Sequence, residues 1–131
     1  MTRINVVPVE ELCDQHLLAE HRELTRIPNG IASGRHTNFN SIPPTYRLGA
    51  GHVTFFLDKL AYLLQRYIAL HDECRKRGFN VTYKWPSDLP GASCGLWNSY
   101  EPTAEALAAN RARIAERMPA KARFKKACAR A

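Results

Sequence analysis

The chain has 131 residues and a mass of 14.8 kDa, with 19 Lys and Arg against 12 Asp and Glu for a net charge of +7, and 45% of its residues are hydrophobic. That length fits one folded domain and leaves two independent ones short of core, while the apolar content excludes the disordered class. No apolar run approaches the ~18 to 20 residues that cross a bilayer, and residues 1–5 lack the basic-then-apolar layout of a signal peptide, so the expectation is a soluble, cytoplasmic protein with no membrane partner.

A first helix is predicted from about residue 9 to about residue 26. Leu12, His16, Ala19 and Glu23 recur on one side at helical spacing, with Leu17 and Leu24 on a neighbouring stripe. Pro8 suits the approach to its start, and Pro28, Asn29 and Gly30 are expected to end it. Residues 30–44 are rich in Gly, Ser, Asn and Pro and read as loop. The clearest element runs from 53 or 54 to 77, where Phe56, Leu60, Leu63, Leu64, Tyr67, Ile68 and Cys74 form a wide apolar face. Arg75, Lys76 and Arg77 complement the negative end of its dipole, and Gly78 supplies the cap. Residues 79–101, with Pro86, Pro90, Gly91, Gly95, Trp85 and Trp97, read as an irregular connection anchored by aromatics. A third helix is predicted from 102 or 103 to just before Pro119, burying Leu107, Ile114 and Met118. The expected fold is all-α, a single compact domain over 1–131 with three main helices, long irregular loops and a basic tail from about 119.

The four cysteines at 13, 74, 94 and 128 form no Cys-x-x-Cys pair, and the five histidines form no His-Glu-x-x-His motif, so reduced thiols and no catalytic metal are expected. Charge is unevenly placed. Residues 103–131 hold eight of the basic residues (Arg111, Arg113, Arg117, Lys121, Arg123, Lys125, Lys126 and Arg130) and only two acidic ones, Glu105 and Glu116. Such a concentration attracts a polyanion by releasing its counterions; a solvated tail that keeps a small protein in solution fits the same pattern.

Three features at the front of the chain carry chemistry. Thr2 follows Met1, and removal of that methionine would leave an α-amine of pKa ~7.7 to 8.0 against ~10.4 for Lys, hence far more of the neutral nucleophile at neutral pH. Nearby cations such as Arg3 would depress it further. Glu23, between Arg22 and Arg26, is either a surface ion-pair partner or a carboxylate in a positive patch, able to stabilise a sugar cation or take a proton. Gln15, His16, Arg22 and Arg26 complete that patch, with groups suited to phosphates and bases. Arg113 and Arg117, four apart, are neighbours on the third helix. Gly49, Ala50 and Gly51 allow either a phosphate approach to the long helix or close packing.

These residues sit within longer stretches that are familiar. Met1-Thr-Arg-Ile-Asn5, Asp14-Gln-His-Leu17, Arg22-Glu-Leu24 with Arg26, Pro44-Thr45, Leu48-Gly-Ala-Gly-His-Val-Thr-Phe-Phe56, Asp58-Lys-Leu60 and Lys76-Arg-Gly-Phe-Asn80 closely resemble the pyrimidine-dimer DNA glycosylases of the phage endonuclease V type. The resemblance is dense over residues 1–26 and 44–80 and looser over 100–118.

The resemblance implies a mainly helical, monomeric enzyme without metal or organic cofactor, acting on double-stranded DNA that contains damaged pyrimidines and associating with the nucleoid through that DNA. It implies that the amine of Thr2 attacks C1′ of the 5′ nucleotide of a cyclobutane dimer and forms an imine, that Glu23 stabilises the sugar cation, and that β-elimination then cuts the strand. It assigns Arg3, Gln15, His16, Arg22, Arg26, Arg113 and Arg117 to DNA contacts. It further implies a sharply bent duplex whose base opposite the lesion is extruded, a deformation that a poorly stacked dimer makes cheaper. The chain departs from the family pattern twice. Residues 27–43 keep only Arg35 as a basic residue, which predicts weaker phosphate binding, and the stretch Ala122-Arg-Phe-Lys-Lys126 has Phe124 as its sole aromatic, which bears on dimer preference more than on the chemistry. The alternatives are a non-catalytic basic helical DNA-binding protein and a glycosylase/lyase for another damaged base.

Overall fold

A computed structural model describes residues 3–124. Among them the architecture is helical: a 3₁₀ turn at Val9–Glu11, then α1 (Asp14–Leu24), α2 (Arg26–Ala32), α3 (His52–Phe55), α4 (Leu60–Lys76), a second 3₁₀ turn at Ala92–Cys94, and α5 (Ala104–Glu116). The all-α expectation holds, with α1, α4 and α5 as its three long helices.

The first predicted helix is divided. Residues 9–11 form only a 3₁₀ turn, α1 begins at Asp14, and the chain turns at Thr25 before α2. Thr25 is buried and its Oγ1 donates to the carbonyl of Arg22 at 2.9 Å, satisfying a helix-end acceptor. Pro28 and Gly30 do not stop the helix as expected. Pro28 falls in the first turn of α2, where a missing N–H has no partner to lose. Gly30 leaves room for a ring, since a Cβ there would lie 2.3 Å from Cδ2 of His36.

The second predicted helix is also two. Residues 56–59 separate α3 from α4 because the chain at 96–98 captures the amides that would join them: Leu60 N–H donates to the Leu96 carbonyl at 2.9 Å and Tyr62 N–H to that of Asn98 at 3.3 Å. Leu60, Leu63, Leu70 and Cys74 face the core, whereas Ile68 is 49% exposed, against expectation. The end of α4 is as expected. Gly78 takes φ 87°, its N–H reaches the Arg75 carbonyl and that of Phe79 reaches Cys74, a doubly bonded glycine cap. Arg77, however, does more than complement a dipole. Its buried guanidinium donates to the carbonyls of Leu12 (2.8 Å) and Glu10 (3.3 Å) and to Asp14 (3.0 Å) and Glu73 (2.8 Å), tying the end of α4 to the start of α1.

α5 starts where predicted, Thr103 Oγ1 accepting from Ala106 N–H at 3.0 Å. Its inward face is Ala106 and Asn110, with Leu107 and Ile114 packed at the edge of the core, and Met118 lies beyond the helix and exposed. Cys13 and Cys74 are buried free thiols and Cys94 is an exposed one; burial pushes the Cys74 thiol up to about 11.

The element that positions the site is not a helix. Residues 4–7 run extended through the core, and side chains rather than a sheet satisfy their backbone. Ile4 N–H donates to His52 (2.8 Å), and the Val6 and Val7 amides share Asn110 Oδ1 (2.7 and 3.2 Å). The carbonyls of Ile4, Asn5 and Val7 accept from Tyr46, Tyr62 and Arg66. Beneath this segment Arg66 grips Glu20 with two bonds of 2.8 and 3.0 Å, Asn5 Nδ2 donates to Glu20 at 2.8 Å, and Asn110 Nδ2 donates to Asn5 Oδ1 at 2.8 Å. These four side chains are buried, so the network is satisfied where an unmet partner would cost most. Burial opposes the Arg66 charge, but Glu20 outweighs it and holds the guanidinium above its ordinary pKa.

Candidate active site

One cleft of about 240 Å³ opens where the extended segment passes between α1 and α5, lined by Arg3, Asn5, His16, Ala19, Glu20, Glu23, Ile114 and Arg117. His16, Ala19 and Glu23 share one side of α1, as their spacing predicts. That side forms a wall of the cleft, and the neighbouring stripe of Leu17 and Leu24 faces the core together with Glu20 and His21.

Glu23 is the hinge of the arrangement. Its Oε1 accepts the backbone N–H of Arg3 at 3.0 Å, its Oε2 lies 3.5 Å from Nη2 of Arg22, and its side chain is only 15% exposed. The carboxylate is therefore directed at the chain start rather than spread in solvent. Thr2 lies outside the described residues.

The cleft is electropositive. Burial lowers the pKa of the Arg3 guanidinium, the charges of Arg117 and Arg113 lower it further, and Glu23 opposes them. Cations crowded in this way gain from a phosphate bound among them. His16 adds a polar group: its Nε2 donates to the Arg117 carbonyl at 3.2 Å, and its buried Nδ1 has no hydrogen-bond partner among the described residues.

Of the residues singled out by sequence, the structure brings Arg3, His16, Glu23 and Arg117 into the cleft, with Arg22 at its rim beside Glu23 and Arg113 acting on Arg3 through its charge. It does not bring in Gln15 or Arg26. Gln15 clasps the following chain, donating to the Lys121 carbonyl (2.8 Å) and accepting from Arg123 N–H (3.1 Å), and lines a neighbouring groove with Asp14, Leu18, Phe79, Arg123 and Phe124. Arg26 is exposed at the start of α2. Sequence reasoning missed Asn5, Glu20, Arg66, Asn110 and His52. A signal was present, because Arg66 interrupts the apolar stripe of α4 and Asn5 the apolar run 4–7, and polar residues in such places are buried with partners or not at all.

The glycines before α3 have a packing role. Gly51 takes φ 86°, and a Cβ on it would lie 2.8 Å from Cδ of Arg47, so the loop closes tightly here. Among the described residues no group of three or more His, Cys, Asp or Glu could hold a metal ion, and no helix is long and apolar enough to cross a membrane.

Residues 1–87 match the family model described as pyrimidine dimer DNA glycosylase. The matched span contains the extended segment, α1 to α4, and every lining residue of the cleft except Ile114 and Arg117.

Proposed function

The chain belongs to the pyrimidine dimer DNA glycosylase family, which indicates a DNA glycosylase with a repair function and DNA as its substrate, and from that premise we propose that it excises cyclobutane pyrimidine dimers and cuts the strand at the resulting abasic site. The observation that carries the proposal is the bond from Arg3 N–H to Glu23. Arg3 directly follows Thr2 in the sequence, so this bond supports a reading in which an amine on Thr2 works with that carboxylate.

With Met1 removed, the Thr2 amine in its neutral form attacks C1′ of the 5′ nucleotide of the dimer. The N–C1′ bond forms and the glycosidic bond breaks, its electron pair leaving with the base. Glu23 stabilises the cationic character that develops on the sugar. The nitrogen gives up one proton to the departing base, and the C1′–O4′ bond then breaks with O4′ taking up a proton as a hydroxyl, leaving a protonated imine that can accept the electrons of the C2′–H bond. Removal of a C2′ proton, assisted by Glu23, then expels the 3′ phosphate by β-elimination. Arg3, Arg22, Arg113 and Arg117 bind phosphates around the cleft, and Arg26 and Gln15 extend the DNA contact beyond it. His16, with its free Nδ1, accepts from a donor on the bound nucleotide. The enzyme acts as a monomer and the scheme uses no cofactor.

Incubation with a duplex containing one dimer, with and without borohydride, tests this reading. Strand cleavage without borohydride and a covalent protein–DNA complex with it are expected, both absent from the undamaged duplex. Tight binding with neither product would instead support a non-catalytic DNA-binding protein, and trapping only on another damaged base would reassign the lesion.

A further inference from the structure

We infer that His52 is a positioning residue for the N-terminal nucleophile, holding the extended segment in register through its neutral, Nδ1-protonated form. The inference rests on the amine chemistry proposed above. His52 is 5% exposed and belongs to α3, 48 residues away from the amide it binds. Its Nδ1 faces the Arg47 carbonyl at 2.9 Å, which has only lone pairs, so Nδ1 carries the proton. Its Nε2 is therefore an acceptor, and Ile4 N–H donates to it at 2.8 Å. Only Arg3 lies between Ile4 and Thr2, and Arg3 N–H, the next amide, is the one that Glu23 accepts. His52 from α3 and Glu23 from α1 thus grip successive amides.

The ring has little freedom to respond. Tyr46 and Phe56 pack edge-to-face with it at 5.6 and 5.5 Å between centroids, and Tyr46 Oη donates to the Ile4 carbonyl at 3.3 Å, so Tyr46 holds both ring and segment. A second proton on Nε2 would face the Ile4 N–H, turning an acceptor into a donor opposed to a donor. The charged groups around the ring work in both directions. Arg3 from the segment and Arg113 from α5 disfavour the imidazolium, while Glu20 from α1 and the Arg47 carbonyl favour it. Burial is larger than any of these and keeps the ring below its ordinary pKa, hence neutral at neutral pH.

Two variants and one spectroscopic titration test this. His52→Phe keeps a ring but removes both bonds, and a displacement of ~1 Å at the amine is of a size that costs ~10²-fold in rate. The single-turnover rate of borohydride trapping is expected to fall by about that factor, while affinity for a duplex bearing a non-cleavable tetrahydrofuran abasic site stays within about 3-fold of wild type. His52→Gln retains an acceptor that does not titrate. Trapping by this variant should recover most of the loss, and the part of the wild-type acid-side fall that coincides with the titration of His52, followed by ¹⁵N ring signals together with the Ile4 amide, should be absent. Equal trapping rates for wild type and His52→Phe would overturn the inference, as would an Ile4 amide indifferent to the titration of His52. If His52→Phe does not fold, His52→Gln and the wild-type titration decide alone. A wild-type protein that gives no trapped complex on any damaged duplex removes the amine reading itself, whereas loss confined to the comparison of variants removes only His52.

Discussion

The backbone amide of Arg3 and the carboxylate of Glu23 lie 3.0 Å apart, although 20 residues separate them in sequence. An N–H donor and a largely shielded carboxylate make a charge-assisted bond that fixes where the chain start meets α1. Glu23→Gln keeps the size and can still accept from Arg3, but it removes the negative charge and the basicity. Dimer excision is expected to fall by at least ~10²-fold with DNA binding retained or tightened. Strand cleavage and Kd measured on one dimer-containing duplex check this, and near-normal cleavage would leave Glu23 as an ion-pair partner of Arg22 only.

Glu20 and Arg66 predict a loss of stability rather than of chemistry alone. Their side chains are 1% and 7% exposed, and removing either leaves the other charged, buried and unpaired. Glu20→Ala or Arg66→Ala should destabilise the fold by ~3 to 5 kcal/mol, seen as a lower urea midpoint, while replacing both together with apolar residues of similar volume should recover much of it.

Two buried histidines make stability depend on pH. Burial first, then the charge of His71, lowers the pKa of His21, and burial first lowers that of His52. The unfolded chain takes up protons at these positions near pH ~6.5, before the folded protein does. Their contribution is thus fully present above about pH 6.5 and is lost as pH falls through the unfolded value towards the folded ones. His21→Phe, which keeps a ring against Tyr67 (5.3 Å between centroids), should flatten the slope of unfolding free energy against pH below about 6.5. An unchanged slope would mean that His21 does not contribute.

Arg117 and Arg26 separate cleft from periphery. Arg117→Ala should weaken both binding and trapping, because its side chain lines the cleft, and lower the salt slope of log K by about one. Arg26→Ala should produce the slope change with a smaller effect on trapping at saturating DNA. Equal effects of the two on saturated trapping would place Arg26 in contact with the reacting nucleotide.

What was legible in the sequence follows from where information is local. The start of α5 beside Thr103 and the end of α4 at Gly78 depend on residues a few positions away, and both were read correctly. The breaks at Thr25 and at 56–59 depend on distant partners, such as the 96–98 backbone that takes the Leu60 and Tyr62 amides, and periodicity carries no trace of these. The same holds at the site. Arg3, His16, Glu23 and Arg117 were found through the resemblance and their chemistry, and they do share a cleft. The scaffold beneath them, Asn5, Glu20, Arg66, Asn110 and His52, joins positions up to 105 residues apart. Arg66 and Asn5 stand out in the sequence as polar residues within apolar surroundings, but which partners they meet depends on the folded chain.

The most direct test of the central claim is the point of attachment in the borohydride-reduced complex. Proteolysis and mass spectrometry of the trapped protein should find the sugar on the α-amine of Thr2, with Thr2→Ala still trapped because the amine and not the hydroxyl reacts. An N-terminal extension that moves the amine by one residue or more, ~3.3 to 3.6 Å of chain each, should abolish trapping. Attachment to a lysine, or equal trapping by the extended protein, would contradict the account.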